Sequence, residues 1–220
     1  MRETASPTLV DDFFWWMSLE PGDLLQRKHP QNTPGSPLQC LKKLIKKLHL
    51  GRGGGFQPAP VASCFSCDAE GRLSCKEEKL TPEFLKTLLR TVHPYHRCAL
   101  VLLDILGLSY VDVCKAMSLP RGNIMSALHY ARRTLVPDFR QWDLPVNDLL
   151  MECGAIVDGG LEIPDEPTYK RILEEDSRLE PYMRAVRELK EKLANIRARS
   201  ADPDASEKNG EREVRGQDGA

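Results

Sequence analysis

The sequence predicts an all-α protein made of two small helical domains, a helical C-terminal extension and a disordered tail. Three observations carry this expectation. Apolar residues recur at three- and four-residue intervals in several separate stretches, as they do on one face of an α-helix. Breakers such as Pro21-Gly22 and the Gly51–Gly55 run separate these stretches. Start and stop signals bracket them, with Thr81 before Pro82, Gly107 after an apolar run, and Ser109 three residues before Asp112.

The first helical pattern runs from about Leu9 to Leu19 and stops at Pro21-Gly22. Pro30, Pro34, Gly35 and Pro37 keep the next segment irregular. Leu38, Leu41, Leu44, Ile45 and Leu48 then share one face of an amphipathic helix, and Lys42, Lys43, Lys46 and Lys47 make the rest of it basic. Gly51 to Ser63 reads as a flexible hinge, and Cys64 to Lys79 as a polar segment without clear periodicity. The Gly-rich run has no following Gly-Lys-Ser/Thr and no preceding strand, so it does not read as a phosphate loop.

Signals are densest from Thr81. Thr81 suits an N-cap and Pro82 the first helical position, while Leu85, Leu88, Leu89 and Val92 share a face. Pro94 restarts the chain into a run from Cys98 to Leu106 that Gly107 closes. Ser109 to Met117 predicts a short helix with a capping box, and Ile124, Leu128, Ala131 and Leu135 a second one after Ser118-Leu119-Pro120. Past Pro137, a connecting stretch with Trp142 leads to a long helical pattern split by Pro181, with Leu179, Met183, Val186, Leu189, Leu193 and Ile196 as its stripe. The predicted boundaries are 1–52, a first helical domain; 53–80, a linker; 81–137, a helix-turn-helix domain; 138–199, the extension; and 200–220, the tail.

Bulk properties limit the function. A formal net charge of -1 argues neither for nor against nucleic acid, because the basic residues cluster locally. No apolar stretch approaches the ~20 residues needed to cross a bilayer, and Asp11 and Asp12 precede the Phe13–Met17 run where a signal peptide has basic residues. Seven cysteines is an odd number, and Cys40, Cys98, Cys114 and Cys153 lie in apolar or amphipathic surroundings, so a reducing, cytoplasmic setting is expected. No metalloprotease spacing of histidines and no Gly-x-Ser-x-Gly turn is present, so no enzymatic activity and no cofactor are expected.

Arg97, Leu100, Leu102, Gly107-Leu108-Ser109-Tyr110, Asp112-Val113, Leu119-Pro120, Gly122, Ile124, Ser126, Leu128 and Ala131-Arg132 together resemble region four of the extracytoplasmic-function sigma factors of bacteria, over about a quarter of the chain. The resemblance implies a promoter-reading helix carrying Arg121, Asn123, Ser126, His129, Arg132 and Arg133. The family usually places threonine, lysine and arginine where this chain has Asn123, Met125 and Ala127, and often arginine at Tyr130, so groups that would meet phosphates and base edges are missing. By the same resemblance, Phe13, Phe14, Trp15 and Trp16 stand where region two docks on core RNA polymerase. Lys42, Lys43, Lys46, Lys47, His49 and Arg52 stand where region two meets the downstream promoter element. The first helix of region two has no counterpart, so this part is truncated or begins upstream.

Cys64, Cys67 and Cys75 offer three closely spaced thiolates but no fourth ligand in register, which leaves a structural metal and free or redox-sensing thiols both open. The expected function is sigma-like direction of RNA polymerase to promoters in transcription initiation. Its partners are promoter DNA, core polymerase and an anti-sigma or other regulatory protein, with no membrane. The alternative is a degenerate sigma-like interaction protein, whose C-terminal helices bind a regulator or mask the DNA surface.

Overall fold

The computed structural model describes residues 8–17, 36–48, 61–76, 80–142, 148–161 and 176–201. These residues form mostly helices: α1 (Thr8–Met17), α2 (Pro37–Leu48), α3 (Pro82–Leu89), α4 (Pro94–Leu100), α5 (Tyr110–Met117), α6 (Arg121–Leu135), α7 (Asp148–Val157) and α8 (Leu179–Ala201). A π-helical turn, Val101–Ile105, prolongs α4, and a 3₁₀ turn, Pro137–Trp142, follows α6. The mostly helical expectation holds. The hinge at 51–60, the 162–175 segment and the tail beyond 201 lie outside the described residues.

Local chemistry starts the helices where the sequence indicates. The Phe84 amide donates to Thr81 Oγ1 at 3.1 Å, and the Asp112 amide donates to Ser109 Oγ at 3.2 Å. The expected capping box differs in one bond, since Asp112 accepts from the Ser109 hydroxyl at 2.7 Å. Gly107 ends the π-helical turn at φ +72°. Pro181 does not split the last helix but sits in the first turn of α8, where a missing amide costs no helical hydrogen bond.

Inside the expected linker at 53–80 lies a feature that periodicity did not reveal, a two-stranded antiparallel hairpin of β1 (Phe65–Cys67) and β2 (Leu73–Cys75). Its register pairs Phe65 with Cys75 and Cys67 with Leu73, and Phe65, Cys67 and Leu73 are buried. Each edge is tied to the helices. The Cys67 amide donates to Asp138 at 2.9 Å, the Leu73 amide donates to Glu188 at 2.6 Å, and Ser63 donates to the Leu135 carbonyl. Gly71, at φ +80°, turns the hairpin against α8 so closely that a Cβ there would lie 2.0 Å from the Pro181 carbonyl oxygen.

One apolar cluster joins all of these elements. It takes in Phe13 and Trp16 of α1, Leu41 and Ile45 of α2, the hairpin, the helix-turn-helix, and Leu150 and Leu189 of α7 and α8. Two separately tethered modules are therefore not what the chain forms. α2 packs mainly on α5, while α1 packs on both α2 and α3, so their apolar stripes join the shared core.

Candidate nucleic-acid interface

α5 and α6 form a helix-turn-helix around Ser118, which takes the left-handed conformation at φ 56°, ψ 44°. The Ser118 and Leu119 amides close α5 on the carbonyls of Lys115 and Cys114 at 3.3 and 3.1 Å. Pro120 is extended and begins α6, and the hydroxyl of Tyr110 donates to the Arg121 carbonyl at 3.2 Å, fixing the second helix to the first. No side chain caps the start of α6, so its first amides point outward with the positive end of the helix dipole.

Arg121 and Asn123 are exposed on this first turn. Ser126 is half-buried and its hydroxyl donates to the Gly122 carbonyl at 3.1 Å, which leaves its oxygen free to accept. Further along, the expected DNA-binding stripe turns inward. His129 is 2% exposed with Nδ1 3.2 Å from the Tyr182 hydroxyl of α8, and Arg132 is 1% exposed. Arg133 is half-buried, with Nη1 3.4 Å from His129 Nε2. His129 and Arg132 are thus corrected from surface to core. His129 lies four residues after Met125 and Arg132 four after Leu128, on the flank of α6 that meets α7, and His129 also reaches Tyr182 of α8, instead of solvent.

Arg132 is the centre of a buried ion cluster. Its Nε and Nη2 donate to Asp104 at 2.9 and 2.8 Å, and its Nη1 and Nη2 donate to Asp158 at 3.0 and 2.7 Å. Lys190 of α8 donates to Asp158 at 2.7 Å, which balances two carboxylates with two cations. Burial works against the guanidinium's charge, but Asp104 and Asp158 hold it protonated well above the ordinary arginine range. Burial pushes the Asp104 carboxyl upward, against the pull of Arg132. Sequence reading missed Asp104, Asp158 and Lys190. The available signal was a lone carboxylate, Asp104, inside the apolar run Cys98–Leu106.

The aromatic run of α1 is also mostly interior. Phe13, Phe14 and Trp16 are buried, which removes them as polymerase-facing side chains; four consecutive helical residues point in four directions and cannot all face outward. Trp15 is 37% exposed, with Lys86 Nζ 4.7 Å from its ring centre. It lines a groove of about 960 Å³ with Asp11, Asp12, Glu83 and Arg197. Lys42, Lys43 and Lys46 are exposed on α2, next to α5; the side chain of Lys47, with His49 and Arg52, lies outside the described residues.

Beside the start of α6, a groove of about 570 Å³ is lined by Tyr95, His96, Asn123, Ser126, Tyr130, Met151 and Glu152 among others. His96 stacks on Tyr130 with ring centres 5.6 Å apart and planes 22° from parallel. Burial, with the nearby His93, lowers the His96 pKa to about 4, so its ring is neutral at pH 7.

The hairpin cysteines are Cys64 and Cys67, both buried, and half-buried Cys75. Burial, with Asp68, Glu188 and Asp138 nearby, pushes the Cys67 thiol up to about 12, which keeps it protonated and unreactive. Among the described residues no group of three or more metal-ligating side chains is placed to hold an ion. No described helix is long and apolar enough to cross a membrane. Comparisons with protein-family models, with characterised proteins and with solved structures found no match to this chain.

Proposed function

We propose that the chain is a sigma-like helix-turn-helix protein that binds promoter DNA and directs core RNA polymerase to start sites. The observation that carries this reading is the exposed first turn of α6, where Arg121 and Asn123 project from an uncapped helix start behind a sealed helix-turn-helix core. Arginine can take two acceptors of guanine and asparagine the matching pair on adenine, so these two side chains suffice for limited base reading. Lys42, Lys43 and Lys46 add phosphate contacts beside α5, as the first helix of such a pair crosses the backbone. Exposed Trp15 and its groove are the polymerase-facing surface on this reading.

Duplex binding measured across a salt series tests the proposal. Affinity falls steeply with salt, and replacing Lys42, Lys43 and Lys46 by alanine lowers the slope of log K against log salt by up to ~2.7. A flat salt response contradicts it. A second reading, a sigma-like protein that binds a regulator instead of initiating transcription, draws support from the packing of α7 on α6. Co-sedimentation with core polymerase separates the two, since only an initiating factor requires it.

A further inference from the structure

We propose that α7 is a built-in mask on the DNA-reading side of α6, latched by Asp158, and that duplex DNA and α7 compete for that side. This rests on the reading of α6 as the helix that enters DNA. The two helices run side by side in the same direction: Met151 shares a groove with Asn123 at the start of α6, and Asp158 meets Arg132 near its end. Met151, Gly154, Ala155 and Asp158, spaced at three- and four-residue steps, form the seam. Gly154 lies in the seam, where a Cβ would make ordinary contact, 3.5 Å from the Tyr182 hydroxyl and 3.6 Å from Arg132 Nη1, so a side chain larger than alanine would press on these neighbours.

The width of this pair conflicts with the groove it would enter. Each helix is about 10–12 Å across with side chains, and packed axes lie about 8–10 Å apart. Together they make a ridge roughly 20 Å wide, whereas the major groove is about 12 Å wide and admits one helix. Charge acts in the same direction, because exposed Glu152 stands on the rim where phosphates would approach. The latch is conditional. Asp158 follows the C-terminal end of α7, where a carboxylate opposes the helix dipole, so it is held there by Arg132 and Lys190 and not by its own helix. Arg132 keeps Asp104 as a partner when Asp158 leaves, which spares the helix-turn-helix a buried unpaired cation.

The test compares the full chain with its Asp158→Asn and Gly154→Leu variants, the second prying the seam by bulk, for binding to a labelled mixed-sequence duplex. Masking predicts variants that bind on the order of tenfold tighter than the unaltered chain, with Arg121→Ala reversing the gain. Equal, measurable binding by all three forms overturns the mask and leaves the DNA reading standing. No binding by any form, variants included, overturns the DNA reading and the mask with it. Should either variant lose its cooperative melting transition, amide exchange on the unaltered chain decides. Saturating duplex then strips protection from 148–157 and not from 121–135, and protection of 148–157 that survives saturation overturns the mask.

Discussion

Arg132 makes the clearest case at the scale of single residues, because its type suggests a phosphate contact and its position makes it a keystone. Its guanidinium satisfies two buried carboxylates at 2.7–3.0 Å. Removing it strips Asp104 of its hydrogen-bonded cation and leaves Lys190 alone to balance two carboxylates. Arg132→Ala is expected to destabilise the fold by about 3–5 kcal/mol in denaturant unfolding, whereas exposed Arg121→Ala stays within about 0.5 kcal/mol. Similar stability of the two variants contradicts this assignment. The cluster was hard to read in the sequence because Asp104 and Asp158 are 28 and 26 residues from Arg132, beyond the reach of any local pattern. His96 gives a pH dependence. Its folded pKa, lowered to about 4, lies below the ordinary 6.5, so the unfolded chain takes up the proton first as pH falls. The stabilisation linked to neutral His96 is therefore whole above about pH 7 and is lost between 6.5 and about 4. Comparing the pH dependence of unfolding with that of His96→Gln isolates this loss, and coincident profiles contradict it.

At the scale of elements, legibility followed locality. Thr81, Ser109 and Gly107 announced the ends of their helices because a cap acts within three or four residues, and the helix-turn-helix was legible for the same reason. The hairpin was not, since strands of three residues are too short to show a period and the side chains that tie its edges, Asp138 and Glu188, lie far along the chain. The turn carries its own prediction. Ser118 holds φ 56° with a side chain, a conformation glycine adopts more readily. Ser118→Gly is expected to raise stability by about 0.5–1 kcal/mol without changing the fold. A loss of stability in thermal or denaturant melts contradicts that account of the turn.

For the molecule as a whole, the apolar stripes were legible and their partners were not. Leu41 and Ile45 of α2 were expected to be inside a separate first domain, and they are buried in the cluster that includes the helix-turn-helix. Periodicity says which face of a helix seeks cover and is silent about what covers it. The same limit applies at the candidate site: Arg121, Asn123, Lys42, Lys43 and Lys46 are at the surface as expected, while α7 and α8 enclose His129 and Arg132. The resulting account is of a narrow DNA-reading turn on a single body, with phosphate contacts to one side and a covering helix to the other. Run-off transcription with core RNA polymerase on a random promoter library tests its central claim most directly, using the full chain and the Gly154→Leu variant. The account predicts discrete transcripts that depend on the chain, share an upstream sequence and disappear when Arg121 and Asn123 are both replaced by alanine. Transcripts that are absent with both forms, or unchanged by that double replacement, contradict it.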